Sequence, residues 1–375
     1  VYTEAPDVNI FLKEWMSLIE SKSGERGIFN RVAAKKQVEK LGDRRCPDYN
    51  FGTNPCSEII LRDKEFCNLT EVVIRPKDTP KTLKEKVRLA TILGTWQATL
   101  TDFRYLSKEW RNNCDEEALL GVSLTGIMDN AYTNGNYGKD KVATALQEEV
   151  PGLLRNLKEV AIETNKEIAK KIGIEPSAAI TCVKPSGTVS QLVDAASGIH
   201  TRHSQFYIRT VRGDKKDPLC QFLVEKGVPH ESDVTKPEHT WVFSFPIKTA
   251  ENAICRKDKT AIEQLEFWKL YQEHWCEHKP SVTVTVKEEE WIEVGAWVFK
   301  HFDMISGISF LPYSDHSYKQ APYQECSENE YLQALDKMPK DIDWDELSKY
   351  EVEDNTRGSQ EYACTGDKCE VVDLK

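Results

Sequence analysis

The stretch that decides the reading is "NPCSEIILRDKEFC", residues Asn54 to Cys67. Pro55 biases Asn54 toward an extended backbone. Alternate side chains of an extended segment share a face, so Asn54, Cys56 and Glu58 are expected to point together. A carboxylate beside a thiol disfavours the thiolate, because like charges repel. An ordinary nucleophilic cysteine wants a positive neighbour instead. The arrangement suits a thiol acting as a neutral hydrogen-atom donor or acceptor. The carboxylate would then be a general base toward a substrate, and the amide would hold a hydroxyl or carbonyl. The plainer alternative is a core cysteine beside a turn, since free cysteines are usually buried. Three convergent polar groups and a second thiol at Cys67 weigh against it.

The chain around this stretch has 375 residues, room for one large domain or two ordinary ones. Hydrophobic residues make up 39% and charged residues 30%, a globular balance with ample core material. The net charge of -11 argues against generic binding to nucleic acid or acidic membrane. An anionic small ligand would need a local basic or backbone site. No apolar run reaches transmembrane length, and no signal peptide is visible. The eleven cysteines are odd in number and widely spread, unlike a secreted disulfide framework. A reducing, cytoplasmic setting is expected, with any disulfide being catalytic. The chain begins at Val1 and enters mid-pattern, so a fragment is expected.

Residues 9–21 read as a helix with Ile10, Phe11, Trp15, Leu18 and Ile19 on one face. Asp78-Thr79-Pro80 starts a long helix, with Thr82 and Glu85 as a capping box. Leu89, Leu93, Trp96, Leu100 and Phe103 recur at three- and four-residue steps and predict its buried face. Residues 118–129 read as a buried strand and turn. A second long helix is expected over about 141–172, with Leu154, Leu157, Ala161, Thr164 and Ile168 inward and Gly173 as C-cap. Residues 177–183, 204–212, 280–286 and 307–312 read as strands, and about 288–302 as a helix. Short apolar strands alternating with helices indicate an α/β architecture. The acidic tail from about 350 is expected to be mobile.

Other segments carry chemistry. "CVKPSGTVSQL" (182–192) sets a small-residue turn between a strand and a helix, which can present backbone N–H groups to a phosphate. It can equally be a simple turn. "SGIHTRHSQFYIRTVR" (197–212) carries His200, Arg202, His203, Arg209 and Arg212, and alone could be an exposed basic strand. "YACTGDKC" (362–369) spaces Cys364 and Cys369 around a glycine turn, as paired thiols of a disulfide-exchanging tail or as incidental surface cysteines. "HWCEH" (274–278) suggests a metal, but alternate residues do not share a helical face, and no metal site is expected.

Asn-Pro-Cys-Ser-Glu resembles the radical-site loop of the ribonucleotide reductases, most closely the adenosylcobalamin-dependent class II enzymes of the monomeric triphosphate-reducing type. Those usually carry glycine where this chain has Ser57, whose side chain is expected to point away from the triad. The resemblance runs from about Gly24 to Cys369 and includes residues 280–323. It implies that Cys56 is the transient thiyl radical taking the 3′ hydrogen of the ribose. It makes Glu58 the base on the 3′ hydroxyl, and Asn54 the ligand of the sugar hydroxyls. Cys67 becomes one of two reducing cysteines. Ser186, Gly187, Thr188, Val189 and Ser190 match the substrate-phosphate loop, and Cys364 and Cys369 the redox shuttle, with thioredoxin or a similar dithiol as reductant. The radical would originate in cobalt–carbon homolysis of adenosylcobalamin.

The implied fold is the second half of a ten-stranded α/β barrel over 1–349, with the radical-site loop at 54–67 and a redox tail at 350–375. The implied reaction is reduction of ribonucleotides to 2′-deoxyribonucleotides. The N-terminal half of the enzyme would be a missing partner, bearing the cysteine that pairs with Cys67. The alternatives are a class I large subunit or an inactive fragment. Class I subunits carry adjacent tyrosines near the C-terminus, whereas Tyr313, Tyr318 and Tyr323 are not adjacent.

Overall fold

The computed structural model describes residues 6–24, 26–136, 145–313, 318–351, 362–365 and 368–371. The chain divides into two compact units, one of residues 1–202 and 252–313, the other of residues 203–251 and 314–375.

The first unit opens with α1 (Val8–Ser21), capped by the Asp7 carboxylate. Phe11, Trp15 and Leu18 are buried as expected, while Ile10 is exposed. β1 (Gly27–Phe29), α2 (Arg31–Glu39), β2 (Gly52–Thr53), β3 (Ile60–Leu61) and β4 (Asn68–Val73) follow. Then come α3 (Pro80–Gln97), α4 (Lys108–Glu117), the fully buried β5 (Leu120–Thr125), α5 (Val150–Ile172) and α6 (Gly187–Leu192). In α5 the expected stripe is buried, and Gly173 ends the helix at φ +78.

The inward face of α3 is not the one expected. Its buried residues are Leu83, Val87, Ala90, Thr91, Gly94 and Thr95. Leu89, Leu93 and Trp96 are exposed; so is Leu100, which lies past the helix end, and Phe103 there is half-buried. Small residues win the inner face because the helix lies close to the strands: a Cβ on Gly94 would sit 3.0 Å from Leu120 Cδ2. The inward hydroxyls are satisfied, Thr91 donating to Val87 O and Thr95 to Thr91 O. Asn165 of α5 donates to Thr95 Oγ1 at 3.0 Å, tying the two helices together. The capping box is also displaced, being Thr79 with Thr82, whose hydroxyl donates to Asp78 Oδ1 at 2.8 Å.

After α6 the chain enters the second unit as β6 (Phe206–Asp214), α7 (Pro218–Glu225), β7 (His230–Ser232) and β8 (Thr240–Lys248). It returns as α8 (Ala261–His274), β9 (Thr283–Val286), α9 (Trp291–Lys300) and β10 (Gly307–Pro312). It ends in the second unit with β11 (Tyr323–Glu325), α10 (Glu328–Asp336), β12 (Tyr362–Thr365) and β13 (Lys368–Val371). The second unit is built on an antiparallel sheet ordered β11-β6-β8-β7.

In the first unit, parallel neighbours follow one another. β4 pairs with β5 from Asn68–Leu120 to Val73–Thr125. β5 meets residues 179–183 through the Val122–Thr181 bridge, and Val183 bridges Pro280 just before β9. β9 pairs parallel with β10, and β1 closes antiparallel on β10. The segment expected as a strand at 177–183 runs between β5 and β9 and is held by backbone hydrogen bonds on both sides, among them Val122 N–H to Ile180 O at 2.8 Å and Ser281 N–H to Val183 O at 2.8 Å. Trp268, Tyr271, Trp275, Val284 and Phe310 fill the apolar core against α8 and the strands. No helix among the described residues is long and apolar enough to cross a membrane.

Candidate active site

β2 and β3 form a short antiparallel hairpin, Gly52 opposite Leu61 and Thr53 opposite Ile60. The hairpin needs a tight reversal, so Asn54–Ser57 is a turn and not the extended run expected. Ser57 N–H donates to Asn54 O at 2.9 Å, and Ser57 lies at φ +64, the left-handed region that favours glycine. The Asn54 side-chain oxygen accepts from Ile59 N–H at 3.0 Å.

The turn separates the two reactive groups by exposure. Cys56 is exposed at the tip, whereas Glu58 is 1% exposed and its Oε2 has no hydrogen-bond partner among the described residues. Partial burial pushes the Cys56 thiol up first, and the Glu58 charge pushes it further; Lys184 pulls the other way. The thiol is therefore held protonated.

Residues 278–281 cradle this turn from beneath. His278 is fully buried, accepting from Ile60 N–H at Nδ1 (3.3 Å) and donating from Nε2 to Leu120 O (3.0 Å). Both ring nitrogens are thereby used in the core, and among the described residues no cluster could hold a metal. Lys279 N–H donates to Glu58 O at 3.2 Å, its Nζ donates to Ser57 Oγ at 2.9 Å, and Ser281 Oγ donates to Cys56 O at 2.7 Å. Lys279 is 1% exposed. Burial pulls its ammonium down to about 7, against the opposing pull of Glu58. Ser57 thus does not simply point away: its hydroxyl is the hydrogen-bond acceptor of a buried lysine.

Cys67 is half-buried beside Leu119, Ala178 and Ala179. Burial drives its thiol well up, with Glu65 adding and Arg45 opposing. Gly121 of β5 leaves space for this sulfur, since a Cβ there would lie 3.3 Å from Cys67 Sγ and 2.4 Å from Leu69 Cδ2. The segment between the two cysteines is held by a cluster of arginines and glutamates, of which Arg45, Arg62, Glu65 and Glu117 are buried. Arg45 meets Glu117 at 2.8 Å and Glu65 at 3.5 Å. Arg62 meets Glu65 at 3.4 Å and Glu116 at 3.1 Å. Cys182, fully buried in the neighbouring stretch, feels the charges of both Cys67 and Glu58.

The "PSGTVS" turn opens the short helix α6. Ser186 is at φ +47 and buried, with its Oγ unpartnered among the described residues. Gly187 and Thr188 are exposed, Val189 is half-buried, and Ser190 is buried with its hydroxyl on Ser186 O. Lys184, two residues before Ser186, lies close enough to Cys56 for its charge to act on the thiol. Ser281 links the two segments, its N–H donating to Val183 O at 2.8 Å and its Oγ to Cys56 O at 2.7 Å.

The basic segment splits. Arg202 is buried, paired to both Asp129 oxygens at 2.8 and 2.9 Å and to Asp194 at 3.0 Å. His200 accepts from Thr283 N–H at 3.0 Å. These two are framework residues and not an exposed basic strand. His203, Arg209 and Arg212 belong to the second unit, where Arg212 pairs with Asp233 at 2.7 Å. In the tail, Cys364 and Cys369 occupy directly opposed positions of the antiparallel β12–β13 pair. Residues 352–361, 366, 367 and 372–375 of the tail lie outside the described residues. The sequence reading missed Lys279, Ser281 and Lys184. Lys279 and Ser281 flank a proline before a strand, and Lys184 precedes one after it, so the only signal was charge or hydroxyl at a strand end.

No family model matches the chain. Its fold is that of the ribonucleotide reductases. It matches a B12-dependent class II ribonucleotide reductase at TM-score 0.70 and 22% identity, over 90% of this chain and 49% of that one. The class Id α subunit of Actinobacillus ureae matches at TM-score 0.50 over 81% of this chain. In sequence, the chain is 29% identical over 304 residues to the adenosylcobalamin-dependent ribonucleoside-triphosphate reductase of Lactobacillus gasseri, covering 76% of this chain and 40% of that protein. It is 27% identical over 332 residues to the enzyme of that name from Euglena gracilis, covering 86% and 43%. The resemblance to the class II reductases read in the sequence therefore stands, and the chain spans less than half the length of these two curated relatives.

Proposed function

We propose that this chain carries the radical and reducing cysteines of a class II ribonucleotide reductase, the second half of its ten-stranded barrel. The observation that carries the reading is the hairpin turn, which exposes a protonated Cys56 thiol and buries Glu58 with an unused carboxylate oxygen two residues away. A protonated thiol holds the hydrogen atom that radical chemistry must remove, so the residues fit the cofactor. Adenosylcobalamin, when bound, supplies the radical that converts the Cys56 thiol to a thiyl.

The Cys56 thiyl takes the 3′ hydrogen atom of a ribonucleotide. Glu58 accepts the 3′ hydroxyl proton, and its burial excludes competing water. Asn54 spends its side-chain oxygen on Ile59 and offers its NH₂ group to the sugar hydroxyls. The 2′ hydroxyl leaves as water. Two electrons and two protons come from Cys67 and a partner thiol, which become a disulfide. Cys56 then returns a hydrogen atom to C3′. Ser186–Ser190 form the substrate-phosphate loop: the first-turn N–H groups of Gly187, Thr188 and Val189 and the hydroxyls of Ser186 and Thr188 face the phosphates, while Ser190 holds the turn through Ser186 O. Cys364 and Cys369 pass reducing equivalents from thioredoxin or a similar dithiol. Their opposed register supports this, because opposed antiparallel positions have the Cα spacing a disulfide needs.

The other half of the barrel and the second reducing thiol would come from an N-terminal half of the enzyme. The test is deoxyribonucleotide formation by the assembled enzyme. Turnover that requires adenosylcobalamin is expected. Turnover that requires an iron-containing second subunit instead would give the class I reading.

A further inference from the structure

The cradle beneath the turn contains a charge that the reaction as proposed does not use. Lys279 is 1% exposed, among the most buried large side chains of the chain. Its Nζ reaches Ser57 Oγ at 2.9 Å, and its backbone N–H holds Glu58 O at 3.2 Å. The space for this contact is made by Gly307 at the start of β10. A Cβ there would lie 2.5 Å from Ser57 Oγ and 2.6 Å from Lys279 Nζ. Three chain segments are thus arranged around one ammonium group. The Glu58 side chain, whose backbone carbonyl this lysine holds, is equally buried, has an oxygen without a hydrogen bond among the described residues, and acts on the ammonium through its charge with no direct ion pair between them.

A lone buried charge is costly, and a buried charge beside an opposite one is the usual resolution. We propose that Lys279 is a positioning residue of this site: it fixes the Cys56 turn through Ser57, and it is the counter-charge of the Glu58 carboxylate. The proposal rests on the base role given to Glu58 above. The other groups facing the pair are Cys276 against Lys279, Cys56 with Lys184 at the turn, and Cys67 and Cys182 on the Glu58 side. The four thiols are driven up by burial and Lys184 is only half-buried, so the charge that answers Glu58 from within the core is that of Lys279, fully present below about pH 7.

The first arm of the test is a double-mutant cycle in unfolding of the full chain, with Glu58→Gln, Lys279→Met and the pair together. Each single variant should shift the folding equilibrium by about 100-fold or more, because it strands one buried charge. The double variant should recover most of that loss and stays measurable even if Lys279→Met alone does not fold. Strictly additive losses would overturn the proposal.

The second arm is the split of kcat from KM in the assembled enzyme. With Lys279→Met kcat should fall by about tenfold or more as the Cys56 turn loses its anchor, with KM little changed. An unchanged kcat would overturn the positioning role. If wild-type enzyme shows no ribonucleotide reduction at all, the functional reading fails, and the unfolding cycle still decides whether the two charges are a pair.

Discussion

Ser57→Gly has an effect whose sign depends on Lys279. Ser57 stands at φ +64, and left-handed geometry costs a residue with a Cβ about 1–2 kcal/mol. Glycine would remove that strain. It would also enlarge the conformational freedom of the unfolded chain, costing about 0.4–1 kcal/mol. The substitution further deletes the oxygen that accepts from the buried Lys279 ammonium at 2.9 Å, and a hydrogen bond to a charged group is worth about 1.5–3 kcal/mol. The sum is a net loss of about 1.5 kcal/mol, with strain relief too small to offset the lost bond. The assay is urea unfolding followed by near-ultraviolet circular dichroism, which reads the buried Trp268 and Trp275 of this unit. In a Lys279→Met background the bond is already absent, so Ser57→Gly should become neutral or stabilising by up to about 1.5 kcal/mol. Stabilisation of the otherwise native chain by Ser57→Gly would refute the role of the hydroxyl.

Glu65 is pushed up to about 8 by burial first and the neighbouring Glu117 charge second. A carboxyl with a raised folded-state pKa binds more protons when folded, so its contribution is complete below the ordinary carboxylate range and is lost as pH rises through about 8. Stability should therefore fall between pH 5 and 9 by on the order of a few kcal/mol, and Glu65→Gln should flatten that slope in chemical unfolding at a series of pH values. Trp96 is 54% exposed, so Trp96→Gln should cost less than about 0.5 kcal/mol; a loss of several kcal/mol would put α3 the other way round. Cys364→Ser should spare a single turnover of pre-reduced enzyme and block repeated turnover with thioredoxin, measured as product per enzyme; sustained turnover would remove the shuttle role.

The hairpin turn and α3 mark where the sequence stopped being legible. Cys56, Glu58 and Cys67 could be read because their types and spacing are chemically unusual, and α5 because its buried stripe is strongly apolar. The face of α3 was misread because Leu89, Leu93 and Trp96 repeat at helical spacing as well as Ala90, Gly94 and Thr95 do. Periodicity gives the helix, while close approach to β4 and β5 selects the small-residue side. The proline in Asn54-Pro55 signalled extension, but the turn is set by hydrogen bonds to Asn54 and by Ser57's positive φ. Lys279 was illegible for a different reason. Its partner Ser57 lies 222 positions away in sequence, and the space for their contact depends on a third distant residue, Gly307.

In the proposed reaction Cys56 moves a hydrogen atom to and from the substrate. The most direct measurement is turnover of a ribonucleotide deuterated at C3′ by the assembled enzyme with adenosylcobalamin, comparing Cys56 with Cys56→Ser. A primary isotope effect is expected with Cys56 and no deoxyribonucleotide with serine, while substrate binding is retained. Product formation by Cys56→Ser at the rate of the unsubstituted enzyme would contradict it.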